Sequence, residues 1–137
     1  MGKRAYGEAI IVAQGAAGAT GLTGPTGPTG ADGDEIIGIN EQSGTTYTLV
    51  LTDAGKLVVC TNAGDITVTV PLNSSVAFPV NTVISFKQGG AGQIIIEEGD
   101  SSIVIDAFGG LSSAGEYAGL SLVQTDTDVW TLFGGIA

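Results

Sequence analysis

The chain has 137 residues, a formal net charge of −10 and no histidine. Four Lys or Arg residues against fourteen Asp or Glu make a surface that repels phosphate backbones, which argues against nucleic acid and against anionic membrane surfaces as partners. No run approaches the roughly eighteen apolar residues of a membrane helix, so we expect no membrane insertion. The lack of histidine removes the commonest general base and metal ligand at neutral pH. A single cysteine, Cys60, excludes an internal disulfide and a cysteine-based zinc site. Because Cys60 lies in an apolar run, we expect a buried and inert thiol.

Residues 1–14 are too few to fold alone, yet they contain apolar side chains with no local core to enter. These are Tyr6, Ile10, Ile11 and Val12. Apolar residues on a short leader are typical of a segment that docks onto another protein, for example as an added strand. Lys3 and Arg4 supply half of the positive charge and would suit an acidic groove. We interpret residues 1–14 as an N-terminal anchor peptide, with a frayed tail as the alternative.

Residues 15–35 form a collagen-like Gly-X-Y stem. Glycine occupies every third position, at Gly15, Gly18, Gly21, Gly24, Gly27, Gly30 and Gly33. Three polyproline-II chains can wind together only when every third residue lacks a side chain, because only glycine fits at the shared axis. Pro25 and Pro28 follow glycines, where their fixed φ suits that helix. The pattern predicts a triple helix and therefore a homotrimer; a flexible Gly-rich linker is the alternative.

The stem should be short and weak by itself. Its 21 residues give a rod of about 60 Å, and without hydroxyproline such a rod is marginal, so a neighbouring domain is expected to hold the three chains together. Asp32, Asp34 and Glu35 place a ring of carboxylates at one end of the rod. We expect a solvated acidic collar there, with a cation site as the alternative.

Residues 36–43 break the triplet register and are interpreted as a connector. From residue 44 the apolar period changes to two, as in Ile66–Val70, where threonines alternate with aliphatic side chains. Turn residues at 53–55 and 126–128 predict hairpins. About eight short strands without a helical period predict an all-β C-terminal domain, a small sandwich or jelly-roll-like unit. Residues 44–137 are therefore expected to form a β-rich trimeric knob.

Five turn and strand motifs occur in a fixed order over the C-terminal two thirds of the chain. They are Asp53-Ala-Gly-Lys56, Thr67-Val-Thr-Val-Pro71, Phe78-Pro-Val80, Gly90-Ala-Gly-Gln93 and Asp128-Val-Trp130. This order resembles the C-terminal β-domains of bacteriophage tail-fibre and virion-fibre proteins. Asn81 departs from the pattern, where glycine commonly follows the Pro-Val step. The triplets Gly24-Pro-Thr and Gly27-Pro-Thr also resemble the collagen-like stems of phage fibres and of bacterial spore-surface filaments.

The resemblance implies a structural phage protein, made in the host cytoplasm and displayed on the virion surface. It would be a short trimeric fibre or spike whose N-terminus binds a capsid protein, as a head fibre or capsid decoration, or a tail protein. A receptor-binding tail-fibre module and a collagen-like bacterial surface or spore filament are the alternatives. The resemblance names no ligand, because such domains share a scaffold and not a site.

Carbohydrate-binding sites need exposed aromatic side chains, so host-surface carbohydrate is the ligand class that we consider for this chain. Phe108 and Tyr117 flank a loop and are the best candidates for an exposed platform, whereas Phe86 and Trp130 belong to alternating strands and are expected in the core or the trimer interface. The acidic residues around 97–100 and 126–128 fall in predicted turns, where they are normal. We expect no catalytic residues, no metal ligands and no cofactor.

Overall fold

The computed structural model describes residues 36–137, which contain nine strands and one 3-10 turn, Leu51–Asp53. The strands are β1 (Ile39–Gln42), β2 (Thr46–Thr48), β3 (Leu57–Cys60), β4 (Ile66–Val70), β5 (Val83–Gln88), β6 (Ile94–Glu98), β7 (Val104–Ala107), β8 (Gly119–Asp126) and β9 (Val129–Gly134). The all-β class is confirmed for this part of the chain, called the β-domain below. The predicted anchor peptide, stem and acidic collar lie outside the described residues.

The strands form two sheets that share one core. The six-stranded sheet has the order β1-β3-β5-β8-β9-β7, and the three-stranded sheet has the order β2-β4-β6. From β1 to β6 the chain alternates between the two sheets, and each strand pairs in parallel with the strand two earlier. The chain therefore winds as three coils, each contributing one strand to each sheet.

This winding differs from the expected sandwich or jelly-roll-like unit, in which antiparallel neighbours dominate. Five of the seven strand pairings are parallel. The hairpin predicted across residues 53–55 is wrong, because β2 and β3 belong to different sheets. The 3-10 turn Leu51–Asp53 carries the chain across the core instead of reversing it beside itself. Two-residue periodicity tells which face of a strand is buried but not which strand is its neighbour.

The hairpin predicted across residues 126–128 is confirmed. β8 and β9 pair in antiparallel fashion, with a register shift between Gln124 and Asp126. Asp128 adopts a φ of 58°, a left-handed conformation that Asp tolerates better than most residues. Its carboxylate accepts a hydrogen bond from the backbone N–H of Asn73 at 2.7 Å, which fixes the turn against the loop that follows β4.

The segment interpreted as a connector belongs to the β-domain. Residues 39–42 form β1, an edge strand of the six-stranded sheet, and pair with β3. The pairing continues upstream, since the Ile37 N–H donates to the Gly55 carbonyl at 2.9 Å. The compact unit accordingly runs from Ile36 to Ala137, eight residues longer at its start than the expected knob.

The core lies between the two sheets and consists mainly of aliphatic side chains at alternate strand positions. Val58, Ile84 and Leu122 of the six-stranded sheet and Val68 and Ile94 of the three-stranded sheet are all fully buried. Two aromatic rings anchor one side, where Phe78 meets Trp130 edge-on with ring centroids 5.5 Å apart. Phe86 and Trp130 both lie in the core, which was one of the two expected locations.

A cluster of buried polar side chains lies at the last coil, which contains β5 and β6. The fully buried Ser113 hydroxyl accepts the Ile94 N–H at 2.8 Å and donates to the Gln88 side-chain carbonyl. Gln88 in turn donates to the Gly90 carbonyl at 3.0 Å, and Gln93 donates to the Ser113 carbonyl at 2.7 Å. Because these polar atoms find partners, they link β5 to β6 and to the segment at Ser113 without an unsatisfied burial cost.

Two neighbouring coils come so close in one place that no side chain fits between their backbones. The loop after β5 lies against the loop after β3, where Gly89 donates to the Cys60 carbonyl at 2.7 Å and Gly92 donates to that of Asn62 at 3.2 Å. A Cβ at Gly92 would overlap the Gly64 backbone carbonyl. By contrast, a Cβ at Gly115 would meet no atom within 4 Å.

Gly92→Ala should therefore destabilise the fold by separating two coils. We expect the free energy of unfolding to fall by about 3 kcal/mol or more, whereas the matched control Gly115→Ala should stay within about 0.5 kcal/mol of wild type. Urea unfolding followed by circular dichroism at one protein concentration measures both. Equal stability of the two variants would contradict the close coil contact.

Candidate functional site

The six-stranded sheet has an outward surface that is unusually apolar. Its strand registers align a row of outward positions from one edge towards the other, through Ile39, Leu57, Ser85, Ser121 and Phe133. Together with neighbouring rows, the outward apolar side chains are Ile37, Ile39, Leu57, Val59, Val83, Val104, Val123, Val129 and Phe133. We call this set the apolar outer face.

Much of this face is accessible in the described residues. Ile37 is 68% exposed, Ile39 69%, Val104 47% and Phe133 51%, while the outward aliphatic side chains of the central strands are half-buried. Scattered apolar side chains on a surface are normal, but a contiguous patch marks an interaction site. The charged side chains on this face, Glu41, Lys87, Asp106 and Asp126, lie on edge strands or at strand ends.

The outward surface of the three-stranded sheet is different in kind. Parallel registers place Thr46 beside Thr67, and Thr48 beside Thr69 and Glu97. Ile95 is the aliphatic residue in this array, and it is half-buried where it bridges to Ser112. A threonine surface with a carboxylate is well suited to water, so the two outer faces of the β-domain have opposite character.

The two predicted ligand-contact residues are both exposed but are not adjacent. Phe108 follows the last residue of β7 and is fully exposed, and Tyr117 precedes β8 and is 71% exposed. The sheet order places β9 between those strands, so the two positions are at least two strand spacings apart, about 10 Å. The Lys87 ammonium lies 5.8 Å from the centroid of the Tyr117 ring, within the range of a cation–π contact.

Tyr117 also has a constrained backbone. Its φ is 72°, a left-handed value that is uncommon for a bulky residue and indicates strain or a specific role. The Tyr117 N–H donates to the Gln88 carbonyl at 2.7 Å, which ties this residue to the end of β5. The ring is therefore held in place at the end of the sheet away from Ile36. Whether Phe108 or Tyr117 contacts a ligand stays a prediction.

A buried carboxylate joins the first strands of the two sheets. Asp53, 1% exposed, accepts hydrogen bonds from the Asn40 amide at 2.8 Å, the Tyr47 hydroxyl at 2.7 Å and the Val50 N–H at 2.9 Å. Asn40 lies on β1 and Tyr47 on β2. Burial, followed by the hydrogen bond to Asp53 and its charge, raises the pKa of Tyr47 to about 12. Since all three donors satisfy the carboxylate, the cluster is well explained as a clamp between the sheets.

The other chemically reactive side chains of the described residues are explained by structural roles. Cys60 is 1% exposed, and burial raises the pKa of its thiol to about 11, which confirms the expected buried thiol. Asp100 caps its own turn by accepting the Ser102 N–H at 2.9 Å, and this contact lowers the pKa of Asp100. Within residues 36–137 no group of three or more His, Cys, Asp or Glu side chains is arranged to hold a metal ion.

Sequence reasoning missed the apolar outer face as a unit. The signal was present in Leu57–Cys60, where four consecutive apolar residues break the two-residue alternation, and in the valines that flank buried positions of β5 and β8. Only the sheet order reveals that these residues are neighbours. The proposed anchor residues and the stem glycines lie outside residues 36–137.

No family model, curated protein or solved structure matches this chain. No helix in residues 36–137 is both long and apolar enough to cross a membrane.

The Asp53 clamp can be tested through its pH dependence. With the pKa of Tyr47 raised from 10 to about 12, the folded state keeps a proton over this range that the unfolded chain releases. The stabilisation is therefore complete below pH 10 and is lost as the pH rises towards 12. We expect the stability of wild type to fall more steeply over this range than that of Tyr47→Phe.

Urea unfolding between pH 7 and pH 12 provides the measurement. At pH 7, Tyr47→Phe should lower the free energy of unfolding by about 2 kcal/mol, because Asp53 loses one hydrogen-bond donor. Tyr117→Phe is the matched control and should keep the wild-type slope. Identical slopes for wild type and Tyr47→Phe would show that Tyr47 does not titrate through the clamp.

Proposed function

We propose that this chain is the subunit of a short trimeric fibre, a structural protein of a phage virion. Its N-terminal leader binds a capsid or tail protein, its Gly-X-Y stem spans the gap, and its β-domain is displayed at the outer end. The observation that carries the proposal is the combination of seven in-register glycines with an exposed apolar face on the sheet that β1 begins at Ile39.

The stem and the β-domain support the trimer for different physical reasons. A Gly-X-Y tract gains nothing from its glycines as a single chain, since the small residue is needed only at an axis shared by three. Seven triplets without hydroxyproline would hold three chains weakly. The β-domain offers the missing association energy, because burying the exposed parts of side chains such as Ile37, Ile39 and Phe133 contributes about 1 kcal/mol or more for each.

The placement on a virion is supported by the resemblance to phage fibres and by the distribution of charge. The leader has apolar residues and half of the positive charge, whereas residues 36–137 carry ten acidic residues against Lys56 and Lys87. An anchor with charge opposite to the rest of the chain favours the leader as the docking end. A head fibre or capsid decoration and a tail fibre share this chemistry, and so does a collagen-like bacterial surface filament.

The receptor-binding alternative has less support from the geometry. Carbohydrate platforms use adjacent exposed aromatic rings, but Phe108 and Tyr117 are separated by at least two strand spacings. One face of the Tyr117 ring is also taken by Lys87. Glycan binding by the β-domain is therefore a secondary proposal, and it rests on Tyr117 more than on Phe108.

The trimer is tested by mass. Sedimentation equilibrium or native mass spectrometry of the full chain at micromolar concentration should give three times the chain mass. Gly24→Ala should lower the melting temperature of the triple-helical signal in circular dichroism while the trimer mass is kept, because the β-domain holds the copies together. A monomer at this concentration would contradict the proposal.

Attachment through the leader has its own test. A chain lacking residues 2–12 should form a folded trimer that no longer joins the particle, because it lacks the apolar anchor residues. Incorporation is measured by quantitative mass spectrometry of purified particles, with the Tyr117→Ala full chain as the control that should join normally. Normal copy number of the truncated chain would place attachment in the β-domain.

A further inference from the structure

We propose that the apolar outer face of the six-stranded sheet is the surface through which three copies of this chain associate. The inference rests on the trimer of the proposed function and adds the surface that forms it. The partner is defined by the chain itself: two further copies, each presenting the same aliphatic sheet face.

The first argument is where the stem meets the β-domain. The Gly-X-Y tract ends at residue 35, and Ile37 is already hydrogen bonded to Gly55 at the edge of the six-stranded sheet. Three chains of a triple helix share one axis, so the three copies of this edge must lie near one another. Ile37 and Ile39, both more than two thirds exposed, are the outward side chains that the neighbouring copies meet there.

The second argument is continuity. From Ile39 the outward row passes through Leu57 and two serines to Phe133, and the next row contains Val83 and Val123. Small and aliphatic side chains on a paired sheet make an even surface that packs closely against another of its kind. The face thus extends from the β1 edge across the sheet, and its outward side chains are exposed or half-buried within residues 36–137.

The third argument is charge. Copies of a chain with a net charge of −10 repel one another unless the meeting surfaces carry few carboxylates. The outward positions of β3, β5 and β8 hold aliphatic residues, serines, Gly119, Thr125 and two opposite charges, Lys87 and Asp126, each near the end of its strand. The three-stranded sheet presents threonines and Glu97 instead. Because Glu41, Asp106 and Asp126 lie on edge strands or at a strand end, copies can meet over the central aliphatic rows of the six-stranded sheet without placing carboxylates against one another.

Cysteine labelling of the full chain tests the surface with minimal disturbance. Ser121→Cys places a thiol in the middle of the apolar outer face, and Thr67→Cys places one on the three-stranded sheet. Both native residues are half-buried within the chain, so the two thiols start from similar exposure. Cys60 contributes little background because it is 1% exposed. In the native assembly we expect a maleimide to label Thr67→Cys about 10-fold faster than Ser121→Cys, since interface cores exclude solvent.

A variant that adds a charge to the apolar outer face tests the same surface independently. Val123→Glu should convert the trimer to monomers in native mass spectrometry while strand content is kept, whereas Thr67→Glu, its matched control between Thr46 and Ile95, should remain trimeric. If Val123→Glu fails to fold, the labelling ratio of the two cysteine variants decides alone.

The outcomes separate the surface from the function. A wild-type trimer in which Ser121→Cys labels as fast as Thr67→Cys overturns the surface and leaves the trimeric fibre standing. A trimer in which Thr67→Cys is the protected thiol assigns the interface to the three-stranded sheet and also overturns the inference. A wild-type monomer overturns the trimer and with it this use of the face.

Discussion

The structure depends on one shared core, because strands that are consecutive from β1 to β6 do not hydrogen bond to each other. Each of β1 to β4 finds a partner two strands later, after the chain has crossed to the other sheet and returned. Backbone pairing is therefore reached only once a whole coil is in place, and its loop entropy must be offset by side-chain burial. The fully buried aliphatic residues between the sheets supply that burial. The Asp53 and Gln88–Ser113 clusters then tie together the two ends of the coiled region.

The core also determines which strand positions can vary on the outer faces. Alternate side chains of every strand point into the core. The outward positions are not part of that core, so their residue types can differ between the two sheets. The three-stranded sheet uses them for threonines, whose branched side chains favour strands and remain compatible with water. The six-stranded sheet uses them for valine, leucine and isoleucine, which favour strands equally but need a covering surface. Secondary structure alone therefore cannot account for the difference between the faces.

The sequence predicted local features of this fold better than long-range ones. The strand at Ile66–Val70, the turn at residues 126–128 and the burial of Cys60 all follow from patterns within a few residues, and all are present. The coil was not predicted, because the turn at residues 53–55 looks the same whether the chain reverses in one sheet or crosses to another. For the same reason residues 36–43 looked like a connector: β1 is short, and its partner lies eighteen residues away. The apolar outer face needs the sheet order, which no local pattern contains.

Glycine occurs in two different patterns in this chain, and the difference supports the interpretation of residues 15–35 as a stem. In the β-domain, glycines occur where backbone meets backbone: a Cβ at Gly99 would lie 2.7 Å from the Val70 carbonyl, and one at Gly90 would lie 2.7 Å from that of Thr61. These positions follow no period, because each is set by the local crossing of two coils. The seven glycines of residues 15–33 keep a strict period of three. A regular spacing needs a regular cause, and the shared axis of the proposed triple helix would provide one where a flexible linker does not.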